Sequence, residues 1–385
     1  MMTAARHDRP RRVVLVFDTS RPMYGLHGLH AAFRGLPGVE VTAIADPGEA
    51  TARRAAAMEI SGATRHYAEV ETMFDQERPD IAVICSRHPD EHLAPIRAAA
   101  ARGIHLFCEK PLAATAAAAR EIAALAAASG IKLAVVHPAR FDAAFLEMKR
   151  LVESGAIGRP LTVIGRGKCD ARGGGEDLIV LGTHILDLMV FFLGKPLSIM
   201  ADIQVDGRPA TPADWHAPTE PVGPVAGDDI LATFTFAGGV RGLFESRKGL
   251  RGAERPGDTL MGLSVVGADG TLSLRFDDVR RRELKLSRRA AAPDDEAAYE
   301  PVPVPVARPI PGAAPPDLSL CGRGDIPRAP MFVEAVRWAA WDLLQAIGED
   351  RQPLSNADSA CVVAEMIEAI YTAHFEGCRI VWPSA

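Results

Sequence analysis

The stretch LFCEKPL, residues 106–112, joins a hydrophobic run directly to an acid, a base and a proline. Together with the residues before it, GIHLFC (103–108) has the length and apolar content of a buried β-strand. Polar residues at the carboxyl end of such a strand face the crevice in which open parallel sheets bind ligands. We therefore expect Glu109, Lys110 and Pro111 to lie at a ligand site.

The residues around this stretch alternate between strand and helix patterns. Four further runs have the composition of strands: VVLVF (13–17), VEVTAIA (39–45), DIAVICS (80–86) and KLAVVH (132–137). Between them lie Ala-rich stretches that favour helices: 49–58, 89–102 and 115–129. This alternation predicts βαβ units, so residues 1–138 are predicted to form an α/β, Rossmann-like domain with a doubly wound parallel sheet.

The pattern changes after residue 138. FDAAFLEMKRLVESG (141–155) predicts an amphipathic helix, and two further helices are predicted near the carboxyl terminus. The runs ILATFTF (230–236) and LSVVGADGTLSLRF (263–276) alternate as half-exposed antiparallel strands do. Residues 139–385 are therefore predicted to form a C-terminal α/β domain for substrate binding and oligomerisation, with an open, mainly antiparallel sheet. Its ten-proline segment, 290–330, is either an arm or lid or a disordered surface loop.

The overall composition excludes some classes of function. A chain of 385 residues with 48% hydrophobic and 24% charged residues is typical of a soluble globular protein. The net charge of −6 argues against nucleic acid as a partner. The longest apolar run near the amino terminus has five residues, too short for a signal peptide or a membrane span. The six cysteines form no CxxC pair, so we expect reduced thiols and a cytoplasmic location.

The loop after the first strand lacks the GxGxxG fingerprint of dinucleotide-binding proteins. Gly25 and Gly28 are the candidates there for contact with a pyrophosphate. Asp46, at the end of the second strand, would hydrogen-bond a ribose 2′-hydroxyl and repel a 2′-phosphate, which favours NAD over NADP. Asp46 is equally suited to cap the helix that follows, and the two roles are compatible.

Three segments in this order resemble the Gfo/Idh/MocA oxidoreductase family: LFCEKPL (106–112), SGAIGRPLTV (154–163) and GGGEDLIVLGTHILDLMVFFLG (173–194). The resemblance extends over nearly the whole chain. It implies a Rossmann domain, a second α/β domain whose sheet often mediates homo-oligomers, and nicotinamide-linked oxidation or reduction of a hydroxyl. The substrate class that it implies is a sugar, a polyol or a sugar derivative. We expect the cofactor-binding residues to include those at the ends of the fourth and fifth strands: Ser86, His92, Glu109 and Lys110.

Two residues have the chemistry that hydride transfer requires. A base must remove the hydroxyl proton, and a positive group must stabilise the developing alkoxide. Lys110 beside the nicotinamide and His184 from the C-terminal domain are predicted to act on the same carbinol, with His184 as the proton acceptor. The structural alternatives are a solvated Glu109–Lys110 pair and a buried histidine of the core.

Charged residues near His184 are candidates for substrate binding. Many members of the family have an aspartate four residues before this histidine, where the present chain has Val180. Asp177, near the same face of a regular helix, is the candidate replacement. The full set of predicted substrate ligands is Asp187, Asp177, Arg140 and Lys168, with Glu176 as a further candidate.

Two other interpretations were weighed. His88 and His92 are four residues apart, but no third ligand accompanies them, so no metal is predicted. The second class of function is a relative that has lost redox turnover and serves as a binding or regulatory protein, or uses bound NAD for non-redox sugar chemistry. The missing glycine fingerprint and Val180 favour this class, whereas Glu-Lys-Pro and GTHILD favour the dehydrogenase.

Overall fold

The chain divides into two compact units. The computed structural model describes residues 9–21, 28–49, 51–250, 261–276, 283–288, 298–305, 309–315 and 330–382. The first unit comprises Met1–Phe141 and Arg308–Cys361, and the second comprises Asp142–Ala307 and Val362–Ala385. The sequence analysis assigned every residue after 138 to the second domain, so the grouping of Arg308–Cys361 with the first unit differs from that prediction.

The first unit contains a parallel sheet. Its described strands are β1 (Arg11–Val16), β2 (Val39–Ala45), β3 (Arg65–Tyr67), β4 (Ile81–Ile84), β5 (His105–Cys108) and β6 (Leu133–Val135). Their order across the sheet is β3-β2-β1-β4-β5-β6, and all of these neighbours are parallel. The direction of winding reverses between β1 and β4, which makes the carboxyl ends of these two strands a topological switch point. The predicted Rossmann-like fold is confirmed.

Helices follow most of these strands. They are α1 (Thr51–Ser61), α2 (Val70–Glu77), α3 (Leu93–Ala100) and α4 (Ala116–Ser129). The ends of α4 follow from its sequence, because the Thr115 side chain accepts a hydrogen bond from the Ala118 amide and Gly130 ends the helix at a φ of 70°. The sequence analysis missed β3 and α2, which are short and carry no continuous apolar run.

A carboxyl-terminal helix completes the core of the first unit. This helix is α8 (Pro330–Glu349). It contributes Val336, Ala339, Ala340, Leu343 and Leu344 to the hydrophobic cluster that surrounds the parallel sheet. Burial of this apolar surface explains why the helix groups with a sheet that lies some 200 residues earlier in the sequence.

The second unit contains a mixed sheet. Its described strands are β7 (Pro160–Arg166), β8 (Ser198–Val205), β9 (Arg208–Pro209), β10 (Asp229–Thr235), β11 (Arg241–Arg247), β12 (Gly262–Gly267), β13 (Thr271–Arg275), β14 (Lys285–Ser287), β15 (Glu300–Pro301) and β16 (Ile380–Val381). Their order is β15-β14-β13-β12-β7-β11-β10-β8-β16, with β9 beside β8. The pair β7–β11 is parallel and the others are antiparallel, so the mainly antiparallel sheet is confirmed.

Helices pack on one face of this sheet, and on the other face some described apolar side chains are exposed. The helices of the unit are α5 (Ala143–Glu153), α6 (Gly175–Asp177), α7 (Thr183–Leu193) and α9 (Ala357–Glu376), and α9 begins in the first unit. A Cβ atom on Gly165 of β7 would lie 2.2 Å from Ile185 of α7, so the glycine permits close packing of helix on sheet. On the opposite face, Met200 and Leu231 are 46% and 45% exposed.

Part of the proline-rich segment packs against the first unit. Ile310 is buried, the Ala314 amide donates to the Gly35 carbonyl at 3.0 Å, and Arg337 of α8 donates to the Ala314 carbonyl at 2.9 Å. Much of 290–330 lies outside the described residues, so its predicted role as an arm or lid stays a prediction. In the described part of the chain, no helix is both long and apolar enough to cross a membrane.

Candidate active site

The Glu-Lys-Pro segment lies at the carboxyl end of β5, as the sequence predicts. The Glu109 amide donates to the Ile84 carbonyl at 3.0 Å, which holds the segment against the end of β4. Glu109 and Lys110 are only 1% and 4% exposed, and the peptide bond between Lys110 and Pro111 is cis. These two side chains are therefore enclosed by protein and do not form a solvated surface pair.

His92 joins the loops that follow β4 and β5. Its ring is fully buried, with Nε2 at 2.8 Å from the Ser86 carbonyl oxygen and Nδ1 at 3.0 Å from the Leu112 carbonyl oxygen. The Cys108 thiol lies 3.6 Å from Nδ1. Burial lowers the pKa of His92, which favours a neutral ring that donates to one of the two carbonyls. His92 thus links the loop that contains Ser86 to the segment that contains Lys110 and Leu112.

The geometry of His92 also bears on metal binding. Both of its ring nitrogens face backbone carbonyl oxygens, so a metal ligand role would require breaking these contacts. Over the ranges that the structure describes, no group of three or more His, Cys, Asp or Glu residues could hold a metal ion.

An ion pair connects the loops after β1 and β4 at the switch point. Arg21 lies 2.7 Å from Oε1 of Glu91, and the other oxygen of Glu91 accepts a hydrogen bond from the Ser86 hydroxyl at 2.7 Å. Ser86 is among the residues predicted from the sequence, whereas Arg21 and Glu91 are not. The positions of Arg21 and Glu91 just beyond strand ends could have indicated a role at the ligand site. Their pairing could not be predicted, because it joins two loops that are distant in sequence.

Asp46 lies at the carboxyl end of β2 and is fully buried. Its Oδ1 accepts from the amides of Thr19 (2.9 Å) and Gly48 (3.0 Å), and its Oδ2 accepts from the Thr19 hydroxyl (2.7 Å) and from Arg54 Nε (2.8 Å). Burial by itself raises the pKa of Asp46, but these hydrogen bonds outweigh it and the pKa is lowered. Because α1 begins only at Thr51, Asp46 does not cap that helix, and this alternative from the sequence is wrong.

The glycines of the loop after β1 are only partly described. Gly28 has a φ of 73°, in the left-handed region that favours glycine, and it precedes a 3₁₀ turn at Leu29–Ala31. Gly25 lies outside the described residues. Contact of either glycine with a pyrophosphate stays a prediction.

In the second unit, Asp177 is buried at the end of α6. Its Oδ2 accepts hydrogen bonds from the Cys169 amide at 3.1 Å and from the Ser246 hydroxyl of β11 at 2.5 Å. Burial raises the pKa of Asp177, and these neutral donors do not reverse the shift. The carboxyl group of Asp177 therefore binds the loop before α6 to the sheet.

His184 lies in the first turn of α7 and is partly exposed. Its ring centroid is 6.4 Å from that of Phe276, and Asp187, one turn further along α7, is fully buried. Between α6 and α7, Leu178–Gly182 forms a π-helical turn. Val180 in this turn is buried in a cluster with Val222 and Val225, so a hydrophobic contact occupies the position four residues before His184.

The loop that leads into α6 is held by a charged network. Lys168 lies 3.2 Å from Asp170, and Arg172 bridges Asp170 (2.9 Å) and Glu220 (2.5 Å). Burial raises the pKa of Asp170, but its bonds to Arg172 lower it to about 2. Glu176 accepts from the amide of Glu220 at 3.1 Å. The predicted substrate ligands Lys168 and Glu176 thus both have protein partners.

Gly173, Gly174 and Gly175 allow this loop to approach the sheet closely. Ideal Cβ atoms on the first two would lie 2.3 Å from the backbone of Lys248 and 2.4 Å from the Gly227 carbonyl oxygen. Gly174 also has a φ of 88°. Side chains at these positions would push α6 away from β11, so the glycines serve packing.

Arg140 belongs to the first unit and is buried. Its guanidinium donates to the Leu354 carbonyl at 2.8 Å, which ties the 3₁₀ turn Pro138–Phe141 to the loop before α9. Lys110 lies in the same unit, whereas His184 lies in the second. The prediction that Lys110 and His184 act on one carbinol therefore stays a prediction.

Comparison with known proteins identifies the family. Residues 24–137 match the model of an oxidoreductase family with an NAD-binding Rossmann fold, GFO_IDH_MocA, and residues 145–273 match the GFO/IDH/MocA C-terminal domain. D-apiose dehydrogenase of Paraburkholderia graminis is 30% identical over 280 residues, which cover 69% of this chain and 69% of that protein. Inositol 2-dehydrogenase of Streptomyces avermitilis is 37% identical over 125 residues, 32% of this chain and 36% of that protein.

The fold is also that of solved sugar oxidoreductases. Levoglucosan dehydrogenase in complex with NADH and levoglucosan superposes with a TM-score of 0.73 at 20% identity, and the match covers 98% of this chain and 100% of that chain. At this identity the likeness establishes the fold. With both domain models matched in order and a relative aligned over more than two thirds of the sequence, this chain belongs to the Gfo/Idh/MocA family of NAD-binding oxidoreductases.

Proposed function

We propose that this protein is an NAD-dependent dehydrogenase that oxidises or reduces a hydroxyl of a sugar, a polyol or a sugar derivative. The relatives named above act on D-apiose and inositol, as their names state, and both compounds carry several hydroxyls.

The first unit has residues that suit a dinucleotide. The switch point between β1 and β4 is where doubly wound sheets bind such cofactors. Thr19, Asp46, Ser86 and Glu109 follow the carboxyl ends of β1, β2, β4 and β5, so polar groups line this edge of the sheet. NAD bound here would supply the hydride acceptor.

The observation that carries the proposal is the enclosure of Lys110 at the end of β5. Lys110 is 4% exposed and directly follows the loop start after β5, and buried ionisable side chains concentrate at functional sites. In the proposed reaction the Lys110 ammonium holds the substrate oxygen and stabilises the developing alkoxide. His184, partly exposed in the first turn of α7, takes the hydroxyl proton, and Asp187 orients it.

The role of Lys110 can be tested by separating cofactor binding from turnover. Lys110→Ala should lower kcat by about 100-fold or more, the usual contribution of a positioned proton-transfer group. The Kd for NADH, followed by energy transfer from tryptophan to the nicotinamide, should change by less than about threefold, or under 1 kcal/mol. The matched control is Lys132→Ala, because Lys132 is also largely buried but pairs with Asp350 at the amino end of β6. Wild-type turnover by Lys110→Ala would exclude the lysine from the mechanism.

The role of His184 requires a different readout. A general base imposes a pH dependence on kcat/KM, with activity falling below its pKa. His184→Asn should lower kcat/KM by about 100-fold and remove the acidic limb of this profile. His216→Asn is the control, because His216 is exposed and the one described hydrogen bond of its side chain is to the Asp214 carbonyl. An unchanged acidic limb in His184→Asn would contradict the assignment.

One observation favours a second function. Val180 and its valine neighbours occupy the place where many relatives have an aspartate, which suits a protein that binds NAD without redox turnover. A screen of polyols, sugars and sugar acids with NAD and NADP separates the two functions. Binding of NADH without turnover of any substrate would select the binding or non-redox protein.

We also propose that the chain forms a homo-oligomer through the open face of the second unit's sheet. Met200 of β8 and Leu231 of β10 are large apolar residues exposed on that face. Burial of such side chains between two copies would be favourable.

A further inference from the structure

The carboxylate of Asp46 accepts four hydrogen bonds from the protein itself. An ionised carboxylate offers about four lone-pair directions. Here Thr19 donates twice, and Gly48 and Arg54 donate once each, at distances of 2.7 to 3.0 Å. The Asp46 side chain has no exposed surface. A ribose 2′-hydroxyl would have to displace one of these donors to reach it.

The two loops around Asp46 are also too close to open easily. A Cβ atom on Gly48 would lie 2.7 Å from the Ser20 amide nitrogen and 2.8 Å from the Thr19 hydroxyl oxygen. Asp46 therefore acts as the joint between the loop after β1 and the loop after β2. Its negative charge lies inside the protein and faces Arg54, so it exerts little repulsion on an anion outside.

Arg54 and Arg53 place positive charge at the same edge of the sheet. Arg54, with 18% of its side chain exposed, donates Nε to Asp46 and a terminal N–H to the Gly48 carbonyl. A guanidinium carries five N–H groups, so three of those of Arg54 have no acceptor among the described contacts. Arg53 is exposed and donates to the Thr19 carbonyl at 3.1 Å, while the exposed Glu49 offsets part of this charge.

We propose that Arg54 makes this protein accept NADP(H) as well as NAD(H), by receiving the 2′-phosphate of the cofactor. The ribose of the adenosine half binds at the end of β2, where an arginine accommodates a 2′-phosphate and an accessible acid excludes it. Arg54 is such an arginine, and its ion pair with Asp46 neutralises the acid. The proposal keeps NAD(H) as a cofactor, departs from the expectation that Asp46 disfavours NADP, and rests on the proposed binding of a nicotinamide cofactor at these strand ends.

The test compares the affinities of the purified protein for NADH and NADPH by tryptophan-to-nicotinamide energy transfer. For the wild type, the two Kd values should lie within about thirtyfold of each other, or 2 kcal/mol. Arg54→Gln should weaken NADPH binding by at least about tenfold, as expected for the loss of one charge-assisted hydrogen bond, and leave NADH binding equal or tighter. Arg54→Lys, which retains the charge, should give an intermediate affinity for NADPH.

Arg102→Gln is the matched control. Arg102 belongs to the same unit and also pairs with carboxylates, Asp75 at 2.7 Å and Glu71 at 3.2 Å. It differs from Arg54 in lying before the amino end of β5. This variant should leave both affinities unchanged, and thermal unfolding should show that all variants fold.

Three results would overturn the inference. The first is a wild-type preference for NADH above about thirtyfold, and the second is an equal weakening of both nucleotides by Arg54→Gln. In either case NADH still binds, so the proposed function survives. The third result, no binding of either nucleotide, would overturn the proposed function as well.

Discussion

Three buried carboxyl groups differ in pKa because they have different hydrogen-bond donors. Burial raises the pKa of Glu77, Asp46 and Asp177 alike. Glu77 and Asp46 each accept from an arginine, and their pKa values are lowered, that of Glu77 to about 2. Asp177 accepts from a hydroxyl and backbone amides, and its pKa stays raised. In Asp46 the neutral Thr19 amide and the Arg54 guanidinium both lower the pKa, so charged and neutral donors act together against burial.

Glu77 should make the stability of the protein depend on pH. Its pKa is about 2 in the folded state, through bonds from Arg65 and Tyr67, and about 4.3 in an unfolded chain. A lowered folded pKa means that the stabilisation is complete above pH ~4.3 and is lost as the pH falls towards 2. Glu77→Gln should lower the free energy of unfolding at pH 7 by about 2 kcal/mol.

Urea unfolding at pH 7 and at pH 3 measures this effect. The difference in unfolding free energy between the wild type and Glu77→Gln should be smaller at pH 3. Glu121→Gln is the control, because Glu121 pairs with Arg97 on the surface and should contribute less than about 1 kcal/mol. An equal difference at both pH values would show that Glu77 is not the titrating group.

At the scale of elements, the helix around His184 departs from the regular pattern of its sequence. A continuous α-helix would place Asp177 and His184, seven residues apart, near the same face. The π-helical turn Leu178–Gly182 adds a residue to one turn and breaks this spacing. Gly182 approaches the ring of Phe244, where a Cβ atom would lie 2.7 Å away. The turn therefore forms where the helix packs closely on β11.

His92 should be essential for the loops after β4 and β5. His92→Leu would remove the ring N–H that serves the Ser86 or Leu112 carbonyl and leave a buried acceptor unsatisfied. We expect the free energy of unfolding to fall by about 2 kcal/mol, as measured by urea denaturation. The exposed His216→Leu should change it by less than about 0.5 kcal/mol. Equal stability of His92→Leu and the wild type would show that water or another donor replaces the ring.

At the scale of the whole molecule, each unit contains its own sheet, and in the second unit the described residues include apolar side chains exposed on one face of the sheet. The sheet of the second unit has alternating buried and exposed residues on β10, as in Ile230, Leu231 and Ala232. The exposed row continues onto β8 at Met200. A single covered face explains the alternation that the sequence displays, and it leaves apolar side chains for a partner.

The proposed homo-oligomer would form through this face of the sheet. Leu231→Glu would place a charge in the proposed contact between copies, so the protein should elute with a lower mass in light scattering coupled to size exclusion. Leu146→Glu on α5 is the control, because Leu146 is 42% exposed, close to the 45% of Leu231. An unchanged mass for Leu231→Glu, or an equal loss of mass for Leu146→Glu, would contradict assembly through this face.

The sequence by itself determined most strands and helices of the first unit and their order, although not β3 and α2. Strands β2 and β5 follow from apolar runs, α4 from alanines with a threonine cap and a glycine end, and the Glu-Lys-Pro segment from its place after a buried strand. These features are local, because hydrogen-bond periodicity and capping involve residues a few positions apart. The same local patterns, in order, carried the resemblance to the family.

Only the tertiary structure decided which polar groups meet. Arg54 reaches Asp46, Thr19 reaches Asp46 from 27 residues away, and Ser355 reaches the Val135 carbonyl from 220 residues away. Such contacts depend on how strands stack across the sheet and on which core a helix such as α8 enters. No short pattern encodes them, because they arise from the burial of surfaces that are distant in the chain.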